Sequence, residues 1–239
     1  MGADTNISWT DYTVNLWVGC TEVGPGCDNC YARKLAKRRG WAEWGAEAPR
    51  HFFKGTKESL IRYAKKQTER KKVFCMSLGD IFDNEVEQRH RDELWELVEQ
   101  LTELDWQLLT KRIGNAKRML PEKWLKHGLP SHVWLGITVA DQREAERDIP
   151  KLLEIPARIH WLSIEPILGP ITIEWPVEWV IVGGESGERR REMYLAWLES
   201  LITQCRAKNI PIWVKQDSAF KAGTQGRIPD QWWIHEFPT

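Results

Sequence analysis

Seven short runs of apolar, β-branched and aromatic residues recur along the chain, and each is nearly continuous rather than alternating with polar positions. Such runs are typical of parallel β-strands that are covered on both faces. The pattern therefore predicts seven strands, at residues 14–19, 73–77, 106–110, 133–138, 159–165, 178–183 and 211–215.

Between these runs, apolar positions recur with the period of an α-helix, which places them along one buried stripe. Four such stripes predict four helices, and their members are Leu94, Leu97, Val98 and Leu101; Ala116, Met119, Leu120 and Trp124; Ala145, Ile149, Leu152 and Leu153; and Leu195, Leu198, Leu201, Ile202 and Cys205.

The alternation of strands and helices indicates right-handed βαβ units and a parallel sheet. With about seven strands and no obvious break, we predict an α/β fold that forms one domain over residues 1–239, a complete or partial (β/α) barrel, with a C-terminal extension from about residue 217. A doubly wound open sheet is the rival. In either fold, ligands bind at the carboxyl ends of the strands.

Composition narrows the class of protein. The 239 residues include 34 Lys and Arg against 34 Asp and Glu, so the net charge gives no support to nucleic-acid binding. Local basic patches can still provide it. No apolar run approaches the roughly 18 residues of a membrane span. The first eight residues lack the basic and apolar regions of a secretory signal. We therefore expect a cytoplasmic protein without a membrane partner.

The residues at the predicted strand ends are polar or glycine to an unusual degree. Exposed turns explain any one of them, but together they favour a binding site. Glycines would let backbone amides approach a ligand, Lys111 and Arg112 could hold a carboxylate or phosphate, and Glu165 could bind ribose hydroxyls. The candidate cofactor-binding residues are Ser77, Gly79, Asp80, Lys111, Arg112, Thr138, Glu165, Gly183, Gly184, Glu185 and Lys215.

Three of the five cysteines lie on one Gly- and Pro-rich loop, residues 20–30, with the spacing C-x6-C-x2-C. An odd cysteine count in a chain of this length fits a disulfide scaffold poorly and a metal site better. Cys20, Cys27 and Cys30 are the candidate ligands. Three thiolates can hold an iron–sulfur cluster and leave one iron open for a substrate or cofactor.

Structural zinc is the alternative, and it would need a fourth ligand, for which Cys75 and His51 are the candidates. Zinc sites usually show two close ligand pairs, and only one is visible here. The thiols could also be unligated. Cys205 stands on a helical stripe and is expected in the core.

Several motifs together resemble a phage and prophage family of three-Cys-motif proteins, over essentially the whole chain, whose members look like remote relatives of radical SAM enzymes. The motifs are residues 7–13 (ISWTDYT), 17–20 (WVGC), 30–32 (CYA), 135–138 (LGIT), 163–166 (SIEP), 182–187 (VGGESG), 214–216 (VKQ), 226–227 (GR) and 233–238 (WIHEFP).

The resemblance implies a partial (β/α) barrel with a [4Fe–4S] cluster at its top and S-adenosylmethionine on the open iron. An external electron donor would reduce the cluster, and cleavage of S-adenosylmethionine would give a 5′-deoxyadenosyl radical. Mapped by position, residues 77–80 would receive the methionine amino group, Lys111 or Arg112 the carboxylate, and Thr138 and Glu165 the ribose. The usual radical SAM spacing is C-x3-C-x2-C with an aromatic before the last Cys, whereas this chain has a gap of six and Asn29.

The substrate is the open question. The 15 Trp could stack on bases, but Trp106, Trp134, Trp161, Trp179 and Trp213 stand in predicted strands and are expected in the core. The run Arg189–Arg191 follows the glycine turn on the predicted active face and could contact phosphates of nucleic acid or a nucleotide. The competing interpretation is a zinc-stabilised protein that binds nucleic acid or a partner protein without catalysis.

Overall fold

The computed structural model describes residue 2 and residues 5–239. It contains nine β-strands, of which seven form one parallel sheet and two form a small antiparallel pair. The strands of the large sheet are β1 (Tyr12–Val14), β4 (Lys71–Cys75), β5 (Leu104–Thr110), β6 (Val133–Thr138), β7 (Ile159–Ile164), β8 (Trp179–Gly183) and β9 (Ile212–Gln216), and the small pair is β2 (Trp17–Val18) and β3 (His51–Phe52).

Helices lie in most connections between successive strands of the large sheet, whereas residues 165–178, which join β7 to β8, contain none. The helices are α1 (Tyr31–Arg39), α2 (Thr56–Ala64), α3 (Gln88–Gln100), α4 (Ala116–Met119), α5 (Glu122–His127), α6 (Gln142–Leu153) and α7 (Leu195–Ala207). Short 3₁₀ turns occupy Pro25–Cys27, Ile113–Asn115 and Asp230–Trp232.

The strand order of the large sheet is β1-β4-β5-β6-β7-β8-β9, so each strand pairs with its neighbours in sequence. Every one of these pairings is parallel. A doubly wound sheet reverses its strand order at a switch point, and this order never reverses. The sheet therefore curls into a half-barrel, which confirms the predicted α/β class with a partial (β/α) barrel and excludes the doubly wound rival.

The first predicted strand, 14–19, is wrong in its bounds, because the chain leaves the large sheet at Asn15. The Asn15 side chain accepts hydrogen bonds from the backbone N–H of Ser77 (2.9 Å) and of Leu78 (2.7 Å). These bonds hold the chain in a bend that ends β1, and Trp17 then pairs with Phe52 in the small antiparallel sheet. The apolar run 14–19 therefore contributes Val14 to the large sheet and Trp17 and Val18 to the small one.

The helical stripes form the outer layer of the core, between the helices and the convex face of the sheet. Members of all four stripes are buried there, including Leu94, Trp124, Ile149 and Cys205. The third stripe lies on two short helices, α4 and α5, instead of the single helix predicted, because proline favours a helix start and Pro121 stands between them.

Tryptophans fill the lower interior of the half-barrel. We call this cluster the tryptophan floor, and it consists of Trp9, Trp134, Trp161, Trp179 and Trp213, packed with Phe74, Ile159 and Ile181. The indoles meet largely edge to face, as between Trp9 and Trp161 at 5.5 Å. Gly136 makes room for this packing, since a Cβ there would lie 2.3 Å from the Trp161 ring. The strand tryptophans are core residues, as predicted.

Segments near the two ends of the chain cover the edges of the sheet. Gly2 pairs with Thr13 beside β1, and residues 234–236 pair with β9 through Val214 and Ile212. Residues 5–9 reach from β1 to β9, because the Thr5 hydroxyl bonds that of Thr13 and Trp213 donates to Ser8. The predicted C-terminal extension thus lies against the sheet. None of the helices in the described part of the chain combines the length and apolar character that crossing a membrane requires.

Candidate cofactor site at the mouth of the half-barrel

A cavity of about 490 Å³ opens above the tryptophan floor, at the carboxyl ends of the strands. This is the edge of a parallel barrel where ligands bind. Of the predicted site residues, the cavity is lined by Cys20, Cys27, Cys30, Ser77, Gly79, Asp80, Lys111, Thr138, Glu165, Gly184, Glu185 and Lys215. Arg112 and Gly183 do not line it, although each contacts residues that do.

The cysteine loop, residues 20–30, folds over this cavity from the end of β2. All three cysteines are partly exposed and free of disulfides. The loop closes through short turns, in which Cys27 N–H donates to Gly24 (2.9 Å) and Cys30 N–H donates to Cys27 (3.1 Å). Gly24 lies close to the Glu144 side chain, because a Cβ on Gly24 would stand 2.3 Å from a carboxylate oxygen of Glu144. The loop is therefore packed against the barrel rather than standing free.

An ion-pair network anchors the C-terminal half of the cysteine loop to the loop after β8. The Glu185 carboxylate accepts hydrogen bonds from the Asn29 amide (2.9 Å) and from the backbone N–H of Arg191 (2.7 Å). The Arg191 guanidinium contacts Glu185, Asp28 (2.9 Å) and the carbonyl of Pro25 (2.8 Å). Glu185 therefore positions the cysteine loop, which is a role that the sequence analysis did not predict for it.

The charge of Glu185 is held by these contacts. Burial alone would raise its pKa, but the hydrogen bonds from Arg191 and Asn29 and the positive charge of Arg191 outweigh burial and keep the pKa below its ordinary value. The carboxylate thus stays ionised, and the ion pair between Glu185 and Arg191 keeps both charges at neutral pH.

Two arginines anchor the N-terminal half of the loop. The Arg112 guanidinium donates to the carbonyl of Thr21 and lies 3.8 Å from the Cys20 sulfur. Arg50 donates to the Thr21 hydroxyl (2.9 Å) and forms a fully buried ion pair with Asp83 (2.7 Å). Because Arg112 is committed to the loop, the structure leaves Lys111 as the better candidate for an incoming anion.

The Cys20 thiol lies in a protein environment that disfavours its charged form. Burial raises its pKa to about 12, and the nearby Asp80 carboxylate adds to this, while Arg112 opposes it. A free, ionised nucleophile is therefore not the state of Cys20 at neutral pH. A bound metal would have to displace the thiol proton, as metal binding to cysteine generally does.

The cavity wall carries both a loosely held cation and a paired one. The Lys111 ammonium contacts the Thr138 hydroxyl at 3.3 Å, and among the described residues it has no carboxylate partner within salt-bridge distance. The Lys215 ammonium lies 2.8 Å from a carboxylate oxygen of Glu165, whose other oxygen accepts from Ser163 (3.2 Å). These side chains come from the ends of β5, β6, β7 and β9, so the sheet itself sets their spacing.

Asp80 lines the cavity but is occupied by the protein. Its carboxylate accepts from the Thr110 hydroxyl (2.7 Å) and from the backbone N–H groups of Lys111 (2.9 Å) and Phe82 (2.9 Å). These bonds fix the turn that projects Lys111 into the cavity. In the same segment the Ser77 hydroxyl accepts from Asn15 (3.0 Å), and Gly79 packs against Trp17.

The paired glycines after β8 serve close backbone packing. A Cβ on Gly184 would lie 2.5 Å from the Ser218 hydroxyl oxygen, and one on Gly183 would lie 3.2 Å from both Gln216 and Glu165. Gly183 thus makes room for the Glu165 carboxylate beside β9. The glycines shape the site through the protein's own packing, whereas the sequence analysis assigned them to ligand approach.

Neither candidate for a fourth zinc ligand stands at the cavity. Cys75 is fully buried in the outer core, and His51 is exposed on β3, where it packs against Phe53. Of the described residues that line the cavity, only the three loop cysteines carry a thiol and none carries an imidazole. These two expectations for zinc are therefore wrong, while Cys205 lies in the core as predicted.

The donor set fits a cluster better than a single ion. Within residue 2 and residues 5–239, no group of three or more His, Cys, Asp or Glu is arranged to hold a metal ion. A [4Fe–4S] cluster makes a different demand, because each cysteine binds a separate iron and the sulfurs need not converge on one point. Three thiols around one cavity, with no fourth thiol or imidazole on its described wall, meet that demand.

Several residues of the site escaped the sequence analysis. Ser163 and Tyr31 line the cavity, and the Tyr31 hydroxyl donates to the carbonyl of Ser77 (2.9 Å). Arg50 is buried and charged but stands in an irregular segment with no periodic pattern. Asn29 was noted only as a departure from an aromatic. The adjacency of Tyr31 to Cys30 was the one signal in the sequence that could have indicated a cavity residue.

Solved structures of spore photoproduct lyase share the fold of this chain. A cysteine-to-serine variant of that lyase superposes with a TM-score of 0.52 at 10% identity, covering 91% of this chain and 59% of the lyase. A variant with bound AdoMet and dinucleoside spore photoproduct gives 0.51 at 10% identity, covering 90% and 61%. The chain thus spans about three-fifths of the lyase, and the likeness confirms the radical SAM-like fold class alone.

Sequence comparison places the chain in one family. No curated protein matches it. Residues 4–231 match the profile of a family described as protein of unknown function (DUF5131). Because this match covers nearly the whole chain, the protein belongs to the DUF5131 family.

Proposed function

We propose that this protein is a radical SAM-type enzyme that holds a [4Fe–4S] cluster on Cys20, Cys27 and Cys30 and binds S-adenosylmethionine in the cavity beneath the cysteine loop. The observation that carries the proposal is the shared cavity. Three thiols, with no fourth thiol or imidazole on the described wall, stand above Lys111 and the Glu165–Lys215 pair at the mouth of a half-barrel. When bound, the two groups together would supply a 5′-deoxyadenosyl radical able to abstract hydrogen from a substrate.

The residues of the chain divide the remaining work. Lys111 would bind the carboxylate of S-adenosylmethionine, since it is the cavity cation without a carboxylate partner among the described residues. Thr138, Ser163 and Glu165 offer hydroxyl and carboxylate groups for the ribose. Lys215 pairs with the Glu165 carboxylate, and the Asp80 hydrogen bonds fix the approach of Lys111.

The tryptophan floor and the cysteine loop would keep water from the reacting groups. The floor closes the cavity from below with large apolar side chains, among which Trp161 and Trp179 are fully buried. The loop covers the cavity from above, and Arg112, Arg50 and Arg191 fasten it to the barrel. Exclusion of water protects a reactive intermediate from side reactions.

Metal analysis of protein purified without air tests the cluster. We expect iron and acid-labile sulfide in near-equal amounts, about four of each per chain. Cys27→Ala should abolish both. Cys205→Ala is the matched control, because it removes a thiol from the outer core and should leave iron and sulfide unchanged. Stoichiometric zinc without sulfide would overturn the proposal.

Product analysis tests the use of S-adenosylmethionine. The reduced protein, mixed with S-adenosylmethionine, should yield 5′-deoxyadenosine and methionine in equal amounts, even without the natural substrate, as a slow uncoupled reaction. Iron and sulfide without any 5′-deoxyadenosine, under several reductants, would leave an iron–sulfur protein of another kind and would contradict the radical SAM assignment.

A further inference from the structure

One corner of the cavity mouth concentrates exposed cations in a chain whose net charge is zero. The loop after β8 carries Arg189 and Arg190, and the loop after β9 carries Lys221; all three side chains are exposed. These two loops are joined, because Gly187 N–H donates to Ala219 (3.0 Å) and Ala219 N–H donates to Glu185 (3.3 Å). The cations therefore stand on neighbouring strands of backbone at one edge of the cavity.

Helix α1 extends this positive surface away from the cavity. The Lys34 ammonium lies beside Gly187, 3.8 Å from where a Cβ on that glycine would stand. Lys34, Lys37 and Arg38 are exposed and share one face of the helix, at i, i+3 and i+4. We call the set of Lys34, Lys37, Arg38, Arg189, Arg190 and Lys221 the cationic rim.

The rim cations are not engaged by the protein's own acids. Among the described residues, the neighbouring acids are already paired: Glu22 with Arg33, Asp28 with Arg191, and Glu192 with Arg227. Glu188 is the acid on the Arg189 loop that has no such pairing in the described part of the chain. None of the six rim cations forms a salt bridge with a described residue, so their charge faces solvent.

Two exposed aromatic rings flank the same corner. Phe220, between Ala219 and Lys221, has 68% of its surface exposed, and Tyr31, which lines the cavity beside Cys30, has 52% exposed. Large apolar side chains with such exposure are uncommon in this protein, where most indoles are buried. An aromatic face next to a row of cations is the arrangement that binds unstacked bases and the phosphates between them.

We propose that the cationic rim binds single-stranded nucleic acid and that its neighbouring cavity receives one nucleotide of the bound strand. The phosphates would lie along α1 and the Arg189 loop, and a base would stack on Phe220. A duplex fits less well, because its bases are already stacked and offer no face to Phe220. As a substrate assignment this inference rests on the proposed function, whereas binding can be measured on the protein whichever cofactor it holds.

Fluorescence anisotropy with labelled 12-residue oligothymidylate and oligouridylate, at about 50 to 200 mM salt, tests the rim. We expect the logarithm of the binding constant to fall with that of the salt concentration, by about 0.7 per phosphate contacted. The double variant Lys34→Gln/Arg189→Gln should bind at least about 10-fold more weakly and show a slope smaller by about 1.4. Tighter binding of oligothymidylate would identify the natural strand as DNA, and tighter binding of oligouridylate would identify it as RNA.

The matched control is Lys65→Gln/Lys66→Gln, which removes the same charge from exposed positions just after α2, a helix that leads into β4 at the opposite end of the barrel. It should leave binding within about twofold. Phe220→Ala should weaken binding about 10-fold and leave the salt slope unchanged, because stacking releases no counterions.

Three results would overturn the inference: no binding at the lowest salt, equal losses in the rim and control variants, or a duplex of the same length bound as tightly as the single strand. The outcome is separable from that of the proposed function. Binding without iron would leave the rim assignment intact and remove the cluster, whereas iron and 5′-deoxyadenosine without binding would remove only the rim.

Discussion

The lower and upper halves of the barrel interior are built by the same strands but differ in kind. Along β7 and the residue after it, the inward positions are Trp161, Ser163 and Glu165, and along β9 they are Trp213 and Lys215. Inward positions recur every second residue, so about 6.6 Å separates an indole of the floor from a polar group of the cavity. The fold thus places its packing and its candidate chemistry side by side, two residues apart on one strand.

This contrast teaches which substitutions should affect stability and which should affect binding. The floor residues are buried against protein side chains, although Trp9 and Phe74 also line the cavity, so their loss should lower the free energy of unfolding. Among the cavity residues, Lys111 has no carboxylate partner in the described part of the chain, so its loss should change ligand affinity more than stability. Asp80 and Glu185 are bonded to the protein, so their loss should affect both. Of the four predictions that follow, the first three test this division and the fourth tests an ion pair outside both regions. They run from the largest expected change in free energy to the smallest.

Trp161→Ala should have the largest effect on stability. Trp161 is fully buried and contacts Trp9 and Trp179, so its truncation should leave a large cavity and cost about 3–5 kcal/mol of unfolding free energy. Urea denaturation followed by tryptophan fluorescence and circular dichroism measures this. Trp161→Phe should lose less, and Phe220→Ala, at an exposed site, should change stability by less than about 0.5 kcal/mol. Equal stabilities of Trp161→Ala and Phe220→Ala would contradict the assigned floor.

Arg50→Met should lower the free energy of unfolding, although Arg50 lies near the cavity and not in the tryptophan floor. The substitution removes the ion-pair partner of the buried Asp83 carboxylate, and breaking such a pair costs about 3 kcal/mol. The double variant Arg50→Met/Asp83→Leu removes both charges and should recover most of the loss. Denaturant unfolding of the three proteins gives the comparison. A double variant no more stable than Arg50→Met would mean that the contacts of Arg50 to Thr21, Gly45 and Ala48 matter more than its charge.

Lys111→Met should separate binding from stability. Its ammonium has no carboxylate partner among the described residues, so unfolding free energy should change by less than about 0.5 kcal/mol. Affinity for S-adenosylmethionine should fall roughly 10- to 100-fold, as expected for loss of a hydrogen bond between charged groups. Calorimetric titration of iron-loaded protein measures this. Lys117→Met, which alters an exposed lysine on α4, is the control and should bind normally.

Asp217 forms an ion pair with Arg227 (2.7 Å), and this pair should make the stability of the protein depend on pH. Burial alone would raise the pKa of Asp217, but hydrogen bonds from Arg227 and Ser218 lower it below the ordinary 3.8. A lowered pKa in the folded state stabilises the protein above the unfolded value, and this contribution is lost as pH falls through the folded pKa. Asp217→Asn should therefore be less stable than the parent at about pH 6, and the difference should shrink by about pH 3.

The positions of the sheet and its core could be predicted from the sequence because they follow from local pattern. Apolar runs located six of the seven large-sheet strands closely, and the helical stripes identified the outer core. The first strand was misplaced because Asn15 bonds residues more than 60 positions away. Pattern methods cannot detect such a bond.

The cavity was predictable in part, because the ends of the strands could be located from the apolar runs. The rule that ligands gather at strand ends located Lys111, Thr138, Glu165 and Lys215 on one wall. The roles of Glu185 and Arg112 were not predictable, because their partners on the cysteine loop lie 156 and 91 residues away. Whether a charged residue at a strand end faces a ligand or its own protein depends on tertiary contacts that spacing does not contain.

The half-barrel is open between its two edge strands, β1 and β9, which do not pair with each other. Ladders of backbone hydrogen bonds join every pair of adjacent strands from β1 to β9, but residues 5–9 span the remaining opening with side-chain bonds such as Thr5–Thr13 and Ser8–Trp213. Each such bond contributes only about 0.5–1.5 kcal/mol, whereas parting two strands breaks a whole ladder. Opening the barrel between β1 and β9 would therefore break no backbone ladder, but it would have to separate Trp9 from Phe74 and Trp161.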